Sequence, residues 1–366
     1  MNILINCSNI KIGGGIQVSH SFLNQISSNK IDTFVIVLSN SLIKIIDKNK
    51  FGLNHHFENY NIQASSFNVI FSKDKFLDNL ISLYSIDVVF TVFGPSYWKP
   101  AVPHVCGFAK PHYIYKSSPF FNEISFFNSC KLKIMEFFHL LDYRKNCDVI
   151  ITENPDVTEK IGYILNKDSF TVTNNYNQIF DSHDSWEYLK LPNFDGKYML
   201  TISANYPHKN LKIIPLVVKE LISRNIQNIK FVVSLDKGQL ETCDQLDEYI
   251  ISIGKVSIYQ CPPLYQQVDY LFLPTLLECF SASYAEAMKM EKIILTSDLD
   301  FAKGICGNSA VYFNPLNEKD IVDKILEIDQ NLAKQNLLIQ NGLMRLKDFD
   351  TAEERANKYL DILKRT

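Results

Sequence analysis

Leu271-Phe-Leu-Pro-Thr-Leu-Leu-Glu-Cys-Phe-Ser-Ala-Ser-Tyr-Ala-Glu-Ala-Met288 is the stretch whose reading decides the fold. The short apolar run Tyr270 to Leu273, closed by Pro274, reads as a buried parallel strand ending at a loop. A small-residue turn, Cys279 to Ser283, then leads into a helix-forming run from Tyr284 to Met290. Glu278 stands where the strand has just ended, and Glu286 about one turn into the helix. In open α/β sheets ligands lie beyond the carboxyl ends of strands, so both carboxylates are expected to face one crevice from different heights. The helix N-terminus between them, with unpaired N–H groups and the positive end of the dipole, suits a phosphate. Spacing alone fits a second reading equally: a solvated loop acid followed by a surface helix acid.

The phrase Pro274-Thr-Leu-Leu-Glu-Cys-Phe-Ser-Ala-Ser-Tyr-Ala-Glu-Ala-Met288 resembles the signature of the large retaining, nucleotide-sugar-dependent glycosyltransferase family often called family 4. There it usually reads Pro-Ser-x-x-Glu-Gly-Phe-Gly-x-x-x-x-Glu-Ala-Met. Both acids, Phe280 and the Glu-Ala-Met ending are kept, while Cys279 and Ser281 stand where glycines are usual. The resemblance implies an α/β fold of the GT-B type, two Rossmann-like domains facing across an interdomain cleft.

A chain of 366 residues suits two domains of about 180 each. The expected division is an amino-terminal acceptor-side domain over 1–178, a linker over 179–197, a nucleotide-sugar-binding domain over 198–350 and a closing helix over 351–366 that packs back on the first domain. A net charge of −3 gives no reason to expect attraction to nucleic acid. The longest apolar runs, such as Phe34 to Leu38, are strand-sized and too short to span a membrane. Met1 to Cys7 reads as a first strand rather than a signal peptide. The eight cysteines are scattered without a Cys-x-x-Cys pair, which argues against a zinc site and a disulfide framework and fits a reduced cytoplasmic protein.

From the amino terminus, strand Asn2 to Cys7, a loop, Gly13-Gly-Gly15, a helix to about Ser27 and strand Thr33 to Leu38 make a βαβ opening. Three glycines at the strand-to-helix turn permit close approach of a diphosphate, or serve only a turn needing positive φ. They match neither Gly-x-Gly-x-x-Gly nor a Walker loop. Buried strands follow at Asp87 to Ser96 and near Pro103. His112 stands in the loop after the latter, as a substrate contact or a satisfied polar residue. From Tyr113 to Cys147, phenylalanines (Phe120, Phe121, Phe126, Phe127, Phe137, Phe138) alternate with Lys116, Lys131, Lys133, Arg144 and Lys145. That composition suits peripheral contact with an anionic membrane, or else a core-facing helix with a wet basic face. The second half restarts at strand Tyr198 to Ser203, with a loop to Lys209-Asn210 before an apolar helix. Strands at Lys230 to Ser234 and Val256 to Gln260 are expected before the opening stretch, and Ile293 to Ser297 and Ala310 to Pro315 after it. Asp298-Leu-Asp300 is read as a capping or solvated turn rather than a metal motif.

The family resemblance implies roles for these positions. Glu286 holds the ribose hydroxyls of the donor, since a carboxylate accepts two hydrogen bonds from a cis-diol. Glu278 faces the donor sugar and its oxocarbenium-like transition state. Lys209, Asn210 and the helix N-terminus at Phe280, Ser281 and Ala282 offset charge on the departing diphosphate. Gly14 and Gly15 lie against donor phosphates or acceptor, and His112 contacts the sugar. A second cation, an Arg in the family, is replaced by Ala204. The implied activity is transfer of a sugar, with retention, from a nucleotide-diphosphate donor to an acceptor hydroxyl, without an obligate metal or other cofactor. The acceptor expected is a polyprenyl-diphosphate-linked saccharide of bacterial O-antigen or capsule synthesis, met at the inner face of the plasma membrane. The alternatives are a nucleotide-sugar 2-epimerase and a degenerate, non-catalytic GT-B subunit supporting a partner.

Overall fold

The computed structural model describes residues 1–11, 13–62, 71–240 and 244–366. They divide into two compact units: Met1–Ile114 with Ile124–Asn174 and Asp350–Thr366, and Tyr115–Glu123 with Asn175–Phe349.

The first unit is built on β1 (Asn2–Cys7), β2 (Thr33–Leu38), β3 (His55–Asn59), β4 (Val88–Thr91), β5 (His104–Gly107), β6 (Val149–Thr152) and β7 (Asp168–Thr171). They form one parallel sheet in the order β3-β2-β1-β4-β5-β6-β7. Central strands such as Val88–Thr91 and Val149–Thr152 are buried at every position, which is why they read as continuous apolar runs without alternation. The order reverses between β1 and β4, and this places the Gly13 turn, which follows β1, at the switch point.

The second unit repeats the plan with β8 (Lys197–Thr201), β9 (Ile229–Val233), β10 (Ile250–Ser252), β11 (Tyr270–Leu273), β12 (Ile293–Ser297) and β13 (Ala310–Phe313), in the parallel order β10-β9-β8-β11-β12-β13. Its core centres on Phe231, Phe272 and Phe313, packed under the apolar face of the helix Ile213–Ser223. Here the switch point lies between β8 and β11, so the loops leaving Thr201 and Leu273 open side by side.

The expected strand at Val256 to Gln260 does not form. Gln260 folds its side-chain carbonyl onto the Ser257 N–H (2.8 Å), closing a turn into the short helix Cys261–Gln266, and the edge strand falls at Ile250–Ser252 instead. After β13 the chain forms two helices, Glu318–Asp329 and Leu332–Leu346, and Asn331 caps the second through the Lys334 N–H. The last helix, Ala352–Arg365, starts at a capping box between Thr351 and Glu354. It belongs to the first unit: Tyr359 meets Phe22 and Phe90 ring to ring (5.2 and 5.1 Å), and buried Arg355 donates to Ser21 and Asn174. No helix among the described residues is long and apolar enough to cross a membrane.

Candidate functional site

Two loops of the second unit meet at its switch point. After β8 the chain makes a single 3-10 turn, Pro207–Lys209, and leaves it through Asn210 in the left-handed conformation (φ 53°). Asn tolerates that conformation better than most residues, and its side-chain N–H anchors it to the Pro315 carbonyl (2.8 Å). The other loop leaves β11 through buried Thr275 and Leu276. The Leu276 N–H donates to the His208 carbonyl (2.7 Å) and the Leu276 carbonyl accepts from Ser118 (2.6 Å), which locks the two loops together.

This clamp brings Lys209 and Glu278, 69 positions apart, into an ion pair of 2.7 Å. The side chains are 15% and 17% exposed, so the pair is mostly withdrawn from water. Glu278 Oε2, its other oxygen, is buried with no hydrogen-bond partner, and so is Asn210 Oδ1. Unsatisfied buried acceptors are costly, and two on neighbouring loops mark a place where hydroxyl or N–H donors of a ligand would be welcome.

Eight positions on, Glu286 sits in the helix Ala282–Lys289, on its buried side at 7% exposure. The Tyr265 hydroxyl donates to Glu286 Oε2 (3.1 Å). Burial pushes the carboxyl up to about 7, partly offset by that hydrogen bond. Glu286 is therefore not a surface helix acid, the plainer of the two readings its spacing allowed. The helix starts at Ser281, whose hydroxyl makes no capping bond, so the first N–H groups at Ala282 have no side-chain cap. None of Cys279 to Ala282 has a positive φ, and Ser281 is extended (φ −116°). The turn thus forms without the two usual glycines. Phe280 packs edge-on against Phe349 (5.5 Å).

Of the other residues singled out in the sequence, Gly14, Gly15 and His112 belong to the first unit. Gly13, with φ 72°, caps the helix Gly14–Ile26 in a conformation that favours glycine. Gly14 is different: a Cβ there would meet nothing within 4 Å. Glycine opening a helix costs up to about 1 kcal/mol relative to alanine, so the bare backbone here is not bought by packing. At Gly15 a Cβ would make ordinary contacts with Ile10 (3.5 Å) and Phe93 (3.6 Å). Asn9 joins the loops after β1 and β4 through Phe93 O and Pro95 O, and its own Oδ1 is buried without a partner. His112 lies half-buried in the 3-10 turn Pro111–Tyr113. Asp298 pairs with Lys303, in keeping with its reading as a solvated turn.

The helix Phe126–Asn146 buries Leu140 and Tyr143 but leaves most of its other apolar side chains exposed. Its polar residues His139, Asp142 and Asn146 are buried, while Phe126 (77%), Phe127 (83%), Ile134, Phe137 (65%), Phe138 and Leu141 are exposed. His139 is held between the Tyr113 and Tyr97 hydroxyls (2.7 and 3.1 Å), and Asp142 accepts from the Ser96 N–H and the Asn146 amide. The core-facing reading of these phenylalanines fails for that reason. Phe120 is the exception: it is buried in the second unit, beside the His208 ring (6.4 Å).

Residues 196–331 match the family described as glycosyl transferases group 1. The matched residues lie within the second unit. The O-antigen chain mannosyltransferase RfbU of Salmonella typhimurium is 23% identical over 221 residues, 59% of this chain and 60% of that protein. The match to this curated relative thus spans only three fifths of its length. A solved glycosyltransferase from Rickettsia africae superposes with a TM-score of 0.68 at 16% identity, covering 100% of this chain and 97% of that one. Anabaena HepE, solved in complex with UDP-glucose, superposes with a TM-score of 0.67 at 11% identity, covering 99% and 100%. The fold of this chain is GT-B, two Rossmann-like units, and the chain resembles bacterial polysaccharide enzymes. Sequence reasoning did not find Tyr265, Ser118 or Asn9. Each acts through hydrogen bonds made by the fold, and none stands in a motif that would have singled it out.

Proposed function

We propose that this chain is a group 1 glycosyltransferase that moves a sugar, with retention, from a nucleotide-diphosphate donor to an acceptor hydroxyl. The observation that carries the reading is the Lys209–Glu278 pair with Glu278 Oε2 buried and unpartnered at the switch point. A sugar hydroxyl donating to Glu278 Oε2 satisfies that oxygen, and the carboxylate's charge then lies beside the developing oxocarbenium. Lys209 and the uncapped N–H groups at Ser281 and Ala282 take the negative charge that builds on the leaving diphosphate. Glu286, ionised, accepts from both ribose hydroxyls, with Tyr265 holding its orientation. Gly14, with Gly15 beside it, leaves room for a phosphate or acceptor against the first unit's helix, and His112 contributes a sugar contact. A diphosphate leaves with electrostatic help, so no obligate metal is part of this mechanism.

The acceptor in this reading is a polyprenyl-diphosphate-linked saccharide used for surface polysaccharide, met at the cytoplasmic face of the plasma membrane. The helix Phe126–Asn146 supports it. Its exposed aromatic face and Lys131, Lys133, Arg144 and Lys145, against the acids Glu136 and Asp142, suit an anionic lipid surface. Purified protein incubated with a panel of sugar nucleotides tests the whole proposal. Release of nucleoside diphosphate, faster with a lipid-linked acceptor, is the expected result. Epimerised donor with no release would assign an epimerase instead, and no turnover of any donor would assign a non-catalytic subunit.

A further inference from the structure

Away from the glycosyltransferase site, the first unit gathers three metal-ligating side chains at one buried point. Cys106 and His104 lie on β5, and Cys147 lies between the helix Phe126–Asn146 and β6. All three are at most 1% exposed, and their donor atoms lie within 4.8 Å of one another. Two of the scattered cysteines, which argued against a metal site when read along the chain, therefore meet in space. Cys106 Sγ is 2.7 Å from Cys147 Sγ and 3.3 Å from His104 Nε2. The orientation of the imidazole is the informative part. His104 Nδ1 lies 2.7 Å from the Asn146 carbonyl, which can only accept, so the ring proton sits on Nδ1. Nε2 then presents its lone pair toward Cys106 Sγ, the tautomer that a metal-binding histidine adopts when a backbone carbonyl holds its other nitrogen. The Thr91 hydroxyl, 2.8 Å from the same Nε2, donates a hydrogen bond to it.

We propose that His104, Cys106 and Cys147 bind one thiophilic d10 cation, Zn2+ being the probe, as a structural site joining β5 to the approach to β6. Two thiols and a neutral imidazole are a soft donor set suited to such an ion. Binding displaces both thiol protons to solvent, so a divalent cation with two thiolates leaves the buried site neutral. With Zn–S near 2.3 Å and Zn–N near 2.0 Å, tetrahedral ligands place sulfur and nitrogen about 3.5 Å apart and two sulfurs about 3.8 Å apart. The nitrogen–sulfur spacing is already close to this. The two sulfurs separate by about 1 Å, and Cys147, outside the strands, can move by side-chain rotation.

The test uses the full chain, purified under reduction, stripped by chelation and reconstituted with Zn2+ or Co2+. The expected result is one ion per chain, two protons released per ion, a thiolate-to-cobalt charge-transfer band and a higher unfolding temperature. Cys106→Ala and Cys147→Ala lose the band, whereas Cys130→Ala, which removes a thiol outside the cluster, keeps it. Should the alanine variants fail to fold, the wild-type cobalt spectrum decides alone. A folded, reduced wild-type chain without the band, or a Cys106–Cys147 disulfide found by peptide mapping, overturns the proposal.

Discussion

Replacing Lys209 with alanine separates two effects that the ion pair combines. At 2.7 Å and an effective dielectric constant of 20, the gross attraction to Glu278 is about 6 kcal/mol. Desolvation of both groups cancels much of it, and breaking a well-buried pair costs about 3–5 kcal/mol against about 0–1 for an exposed one. With both side chains 15–17% exposed, the pair lies nearer the buried case, so Lys209→Ala should lower unfolding free energy by roughly 2–3 kcal/mol. It leaves Glu278 with a second buried oxygen unsatisfied, which is where most of that cost arises. Glu278→Gln in the Lys209→Ala background removes the stranded charge and should recover part of the stability, while restoring no activity. Turnover should fall by about 10²–10³-fold in Lys209→Ala, the usual effect of losing one preorganised charge at a leaving group. Urea unfolding gives the first quantity and initial rates of nucleoside-diphosphate release give the second. A variant that is destabilised but retains wild-type kinetics would show Lys209 to be a structural counter-ion of Glu278 and remove it from the mechanism.

Glu286, with its carboxyl pushed up to about 7 by burial, makes nucleotide binding pH-dependent. Donor affinity should rise as pH passes upward through about 7 and its ionised form accumulates, and calorimetry on Glu286→Gln should give a flat profile. For the protein without donor the sign reverses: a raised carboxyl pKa means stability is lost as pH climbs from the ordinary carboxylate range to about 7. Glu286→Gln should therefore unfold at a higher temperature than wild type at pH 8, with the gap shrinking toward pH 5; a constant gap would count against a buried titrating carboxyl. Lys131→Glu with Lys133→Glu should reduce recovery on anionic liposomes several-fold, and Phe126→Ser with Phe127→Ser should do so on neutral ones as well; unchanged recovery in both would remove this helix as a lipid contact. Tyr359→Ala, which empties the space between Phe22 and Phe90, should cost about 3–5 kcal/mol by urea unfolding; a loss under 1 kcal/mol would mean that the last helix contributes little to the first unit.

The sequence alone determined the repeating strand–helix plan and the positions of its central strands. Fully buried parallel strands have to be continuous apolar runs, and runs such as Phe34 to Leu38 and Ile293 to Ser297 are legible wherever they occur. It also carried the acids Glu278 and Glu286 and the Lys209-Asn210 pair, because those belong to one local phrase each. Strand order and everything that depends on it came from the tertiary structure. Only the reversal between β8 and β11 brings Lys209 to Glu278, and only the packing of Tyr265 against the helix Ala282–Lys289 buries and orients Glu286. The helix Phe126–Asn146 makes the same point from the other side. Its composition fits a buried or an exposed aromatic face equally, and the choice was made by the buried partners of His139 and Asp142, which lie elsewhere in the chain. Contacts between residues far apart in sequence have no periodicity to betray them, and so Cys106 and Cys147 meet where counting along the chain would never join them.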